Sequence, residues 1–200
     1  MTLEEARADL AYIRRLMEDT RRATYVSGGY FIVWGLAIGA GLLATWLAVT
    51  GRWPWPLFWT WTACVAAGGA GTAWLVHQEL HEPVETPARR LIGMVWMSMG
   101  IGMMVMFFIG VGSGNLDGAH MPALSSVLVG GAFFMTGVLA GLPWLRNLSL
   151  GWWGGAAVML AWPGMHVLWI NGLMMLALYM VPGIVLLRQK RHAQETAAHD

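Results

Sequence analysis

From Tyr25 to Val49 the chain carries no acidic or basic side chain, and this run follows directly on Arg14, Arg15, Arg21 and Arg22. A helix needs about 20 apolar residues to cross the hydrocarbon core of a bilayer. The run supplies that length, so the chain is expected to be a membrane protein. The arginines before it place the N-terminus in the cytoplasm and point the first span outward, because basic residues stay on the cytoplasmic side of a span.

Composition agrees. The sequence is 57% hydrophobic and 12% charged, whereas soluble domains carry about a quarter charged residues. A formal charge of +1, with basic residues gathered at span edges, excludes nucleic acid as a partner. Cys64 is the single cysteine, so neither an internal disulfide nor a thiolate zinc cluster can form. The first apolar run is long and lacks a small-residue cleavage pattern, so it is expected to stay in the mature protein.

The expected fold class is all-α: a polytopic transmembrane bundle of six helices preceded by an amphipathic cytoplasmic helix. The domains are 1–24, the cytoplasmic helix; 25–187, the transmembrane bundle; and 188–200, a basic cytoplasmic tail. Thr2 and Glu5 have capping-box spacing, and Leu3, Ala6, Leu10, Ile13 and Met17 draw an apolar stripe down the helix that follows. That stripe faces the protein's own loops, the lipid headgroups or a partner helix, and is too short for a coiled coil. The spans are expected at about 25–49, 57–76, 91–111, 122–142, 148–162 and 166–187, the last loosened near Pro182 and Gly183. Trp46, Trp53, Trp55, Trp59 and Trp61 surround the Gly51–Pro56 turn and read as an interfacial belt. In this arrangement Arg52 is the one basic residue outside; the lysine and arginines at 7, 14, 15, 21, 22, 89, 90, 146, 188, 190 and 191 fall inside.

None of the spans holds a well-buried ionisable residue, which removes the usual carriers of proton pumping, ion coupling and haem ligation, and the paired aspartates of intramembrane proteolysis. His77 and His81, four apart with Glu82 and Glu85 nearby, form a permissible zinc or nickel arrangement. The order His-Gln-Glu-Leu-His displaces the acid from the His-Glu-x-x-His pattern, and Pro83 interrupts it, so a solvated loop is the plainer reading. Asp117, His120 and His166 meet only if two outer loops converge. Met94, Met97, Met99, Met103, Met104 and Met106 spread around the third span and read as packing filler rather than a soft-metal path. No cofactor and no catalytic residue is expected.

Packing residues are more legible. Gly35 and Gly39, Gly137 and Gly141, and Gly151 and Gly155 have GxxxG spacing, which lets helices approach closely. Asn171 is the most polar side chain within a span and is expected to make an interhelical hydrogen bond. Gly28–Gly39 aligns without gaps to Gly130–Gly141, which reads either as a chance match in a chain of 26 glycines or as the trace of an inverted three-plus-three repeat of the kind transporters use.

The stretch EEARADLAYIRRLMEDTRRATYVSGGYFIVWG resembles the start of small bacterial six-span membrane proteins with a charged N-terminal helix and no assigned activity. The resemblance covers about residues 4–39, with an echo in Pro182 and Gly183. It implies a fold and the bacterial inner membrane, with both termini cytoplasmic, but no site. Two functions follow as expectations: a non-enzymatic accessory or regulatory subunit, acting through the N-terminal helix, or a small transporter or channel for an uncharged or lipid-like solute.

Overall fold

The computed structural model describes residues 27–52, 54–79 and 86–199, and among these every regular element is a helix. The helices are α1 (Gly28–Val49), α2 (Leu57–Glu79), α3 (Pro87–Met104), α4 (Met121–Leu139), α5 (Pro143–Ala161), α6 (His166–Met174) and α7 (Val181–His199). A π-helical stretch, Val105–Val111, prolongs α3, and another, Met175–Met180, joins α6 to α7. The second lies against Pro182, which has no amide hydrogen to continue a regular ladder backwards. The expected helix at 2–22, with Leu3, Leu10, Ile13 and Met17, lies outside the described residues.

Four stretches, Gly28–Val49, Pro87–Val111, Gly118–Leu139 and His166–Gln189, are long and apolar enough to cross a membrane, and they make this a multi-pass membrane protein. α2 and α5 are not among the four. Their hydroxyls, indoles and charges, such as Thr60, Thr62 and Thr72 in α2 and Arg146 in α5, dilute the apolar content. The outward faces are aliphatic, with Leu36, Leu43, Ile101, Ile109, Leu150 and Leu173 all exposed. Ser126, Thr136, Ser149, Phe133 and Trp152 are buried instead. Contiguous apolar surface around a core of small, hydroxyl and aromatic residues is the distribution that hydrocarbon as solvent permits.

Two helices, α3 and α5, start earlier than the apolar runs predict. Thr86 caps α3, its hydroxyl accepting from the Arg89 amide at 3.3 Å with Pro87 in the first turn, so residues 87–90 are helical rather than loop. Pro143 opens α5 in the same way, and the expected inner loop 143–147 is the helix's first turn. The reversal between α4 and α5 therefore shrinks to 140–142. There Gly141, at φ +65°, lets the Leu142 amide close on the Gly137 carbonyl at 2.8 Å.

Two hairpins build the bundle. Along α4, Ala123, Ser126, Gly130, Phe133 and Gly137 form a buried stripe that packs on α5. At Gly137 an added Cβ would overlap the Arg146 backbone. In the hairpin of α1 and α2 the contacts are reciprocal. Trp34 lies over Gly68 and donates to the Thr72 hydroxyl at 2.9 Å; Trp61 lies over Gly41 and donates to the Thr45 hydroxyl at 3.0 Å. Both helices carry Trp-x6-Gly-x3-Thr, at Trp34, Gly41 and Thr45 and again at Trp61, Gly68 and Thr72. Antiparallel packing brings each indole onto the other helix's glycine and threonine.

α1 also crosses the start of α7, where Gly28 and Gly183 meet and a Cβ on either would run into the other's carbonyl. The core converges on one aromatic cluster drawn from α1, α3, α4, α5 and the second π-helical stretch. Phe31 packs with Trp96, Phe133 and Tyr179 at centroid separations of 5.3, 5.2 and 5.3 Å. Trp152 joins Phe133 and Tyr179 at 6.0 Å each.

Candidate functional site

α2 and α3 stand apart along most of their length. α2 meets the π-helical stretch beyond α3 where Phe58 stacks on Phe107 at 5.8 Å and sets its edge against Phe108 at 5.7 Å. The separation leaves a cavity of about 1500 Å³ between α1, α2, α3, α4 and α6. Met97 lines it and is also 61% exposed, so the cavity opens sideways between α2 and α3. From Arg90 to Phe107, α3 and the start of the π-helical stretch beyond it rise about 26 Å at roughly 1.5 Å per residue, close to the hydrocarbon thickness of about 30 Å.

The walls are apolar. α1 contributes Ile38 and Leu42, α3 contributes Met99, Gly100 and Met103, and α6 contributes Leu168, with Met159 of α5 and Met175 beyond α6. Charge is confined to the two ends, with Arg89 and Arg90 beside Ser27 and Tyr30 at one and Asp117 and His120 at the other. Most polar atoms inside the walls are already paired. The Trp34 and Trp61 indoles are held by Thr72 and Thr45, Trp96 donates to the Thr136 hydroxyl at 2.9 Å, and Ser125 donates to the Pro122 carbonyl at 3.0 Å.

Asn171 departs from this pattern. It is 2% exposed, lines the cavity, and its Oδ1 has no hydrogen-bond partner. The interhelical hydrogen bond expected of it is not made at that atom. Its neighbours on the same face of the helix, Leu168 and Met175, offer no side-chain donor.

The glycines of the three GxxxG pairs take different places. A Cβ on Gly35 would lie 2.6 Å from Met180, and one on Gly151 would lie 2.9 Å from Leu178. Gly155 faces Met174, and Gly137 faces the Arg146 backbone. Gly39 and Gly141 have nothing within 4 Å of an added Cβ, so each of these pairs makes its close contact through the first glycine.

His77 is exposed at the end of α2, while His81, Glu82 and Glu85 lie outside the described residues. Among the described residues no group of three or more His, Cys, Asp and Glu side chains gathers as a metal site would require. Asp117 and His120 approach to 3.9 Å on an exposed turn, ionic only when the imidazole is protonated. His166 does not join them: its Nε2 lies 2.6 Å from the Trp162 carbonyl.

Two features of the site escaped sequence reasoning. Trp34, Trp61 and Trp96 act as interhelical donors inside the bundle, so Trp61 does not belong to the interfacial belt that its place near the Gly51–Pro56 turn predicts. Methionines at 97, 99, 103 and 104 share the cavity wall with Met121, Met159, Met165 and Met175 of other segments, a gathering that the third span alone cannot reveal. Comparison with known protein families, curated proteins and solved structures finds no match to this chain.

Proposed function

We propose that this protein binds a lipid-like molecule within the membrane, taking it from the bilayer through the gap between α2 and α3. The observation that carries this reading is the cavity, about 1500 Å³ with apolar walls and a lateral opening. Ligand cavities commonly fall between roughly 300 and 1,000 Å³, so the space suits a long-chain molecule. Its methionines supply flexible, polarisable walls that adapt to a variable chain. The reading belongs to transport or carriage of an apolar solute, without chemistry. It does not depend on an inverted repeat.

The proposal includes six spans in a bacterial inner membrane, with the Arg89 end and both termini cytoplasmic. An accessory role through the N-terminal helix draws on residues outside the described ones.

A brominated long-chain probe tests the reading, since bromine quenches nearby indoles and Trp34, Trp61 and Trp96 line the cavity. Saturable quenching in nanodiscs is expected. Gly100 lines the cavity and has nothing within 4 Å of an added Cβ, so Gly100→Phe has room to place its ring in the space and obstruct it. It should abolish the saturable component. Quenching that rises linearly with probe, or that Gly100→Phe leaves unchanged, counts against the proposal.

A further inference from the structure

We infer that the ligand of this cavity carries a hydroxyl group on an otherwise apolar body, and that Asn171 is the residue that reads it. This rests on the cavity being a binding site and adds the chemical class of its occupant.

The inference starts from an unmet requirement. A carbonyl oxygen buried without a donor forfeits hydrogen bonding that water would have supplied, and in hydrocarbon no solvent restores it. Asn171 Oδ1 is in that condition. Of the other polar groups of the inner wall, the Thr45 and Thr72 hydroxyls receive indoles and Ser125 is turned to its own helix, while Tyr179 lies two turns further along the same face. Leu168 and Met175, one turn to either side, share the cavity with Asn171. A ligand passing that face therefore meets one amide set among aliphatic and thioether groups, with the Tyr179 phenol two turns beyond.

An amide carries an acceptor and two donors, and its terminal torsion is soft, so rotation about Cβ–Cγ can turn Oδ1 towards the cavity. A hydroxyl is the smallest group that donates to this oxygen and also accepts from the amide nitrogen. An ether or ester accepts only and leaves Oδ1 unpaired. The structure thus favours a membrane lipid with a free hydroxyl over its alkylated counterpart of equal length.

The test sets a terminally brominated long-chain alcohol against its methyl ether, using saturable tryptophan quenching of the full chain in nanodiscs, corrected for bilayer partitioning. The alcohol should bind about tenfold tighter, the change expected when a buried acceptor gains its donor. Asn171→Leu should erase that preference while still binding the ether. Equal wild-type affinities overturn the inference but leave the cavity reading intact, whereas absence of saturable binding by either probe overturns the cavity reading itself. A preference that persists in Asn171→Leu also overturns the role of Asn171. If neither Asn171→Leu nor Asn171→Ala folds, the wild-type comparison still decides the ligand class.

Discussion

At the scale of single residues, hydrogen bonds inside the bundle divide into those that are made and two that are not, at the buried Trp152 Nε1 and Asn171 Oδ1. Trp34 to Thr72 and Trp61 to Thr45 are made, at 2.9 and 3.0 Å. Such bonds contribute about 0.6 to 2 kcal/mol within membranes. Thr72→Val, which keeps the shape and removes the acceptor, should therefore lower stability by about 1 kcal/mol in reversible unfolding from mixed micelles. Asn171 is the opposite case. Replacing an unpaired buried amide by a side chain of similar size removes a desolvation cost of about 1 to 3 kcal/mol, so Asn171→Leu should unfold at higher denaturant than the wild type. A lower midpoint would mean that the amide has a partner in the membrane-embedded protein.

At the scale of elements, adjacent glycines have opposite roles because successive helix positions face different ways. Gly130 lies in the α4 stripe, where a Cβ would come within 2.5 Å of the Trp153 indole, while Gly131 has nothing within 4 Å. Gly130→Ala should cost about 1 to 3 kcal/mol through overpacking. Gly131→Ala should be neutral or stabilising by up to about 1 kcal/mol, since alanine favours helix. Equal effects in chemical denaturation would contradict the α4 and α5 packing. GxxxG spacing alone did not distinguish such positions: Gly35 and Gly39 read alike in sequence, yet Gly35 meets Met180 and Gly39 meets nothing. The repeated Trp-x6-Gly-x3-Thr was legible, but its meaning was not. Each motif finds its partner on the other helix, and pairing between helices is a property of the antiparallel arrangement.

At the scale of the whole molecule, the helix ends divide the basic residues. Arg89, Arg90 and Arg146 lie at helix starts on one end of the bundle, and Arg52 follows the far end of α1. With Cys64 replaced by serine, single cysteines at 90 and 146 should react with an impermeant maleimide from one side of the membrane and a cysteine at 52 from the other. Labelling of 52 and 90 from the same side would refute the six-span arrangement. Binding provides a second global readout. A ligand at one hundred times its dissociation constant stabilises the folded state by about 2.7 kcal/mol, so a saturating long-chain alcohol should raise the unfolding temperature, and Gly100→Phe should remove that rise.

The amino-acid sequence by itself determined that this chain lives in lipid, that it is helical, and roughly where its apolar helices lie. Those properties follow from the summed transfer free energy of local runs of side chains, which needs no knowledge of neighbours. Tertiary structure alone decided that α2 and α3 part to leave a cavity, that eight methionines from several segments line it, and that the Asn171 oxygen stays unpaired. These depend on which helices touch, and in a bilayer that choice rests on close packing and individual hydrogen bonds between distant residues, because lipid gives no hydrophobic drive for one helix to prefer another.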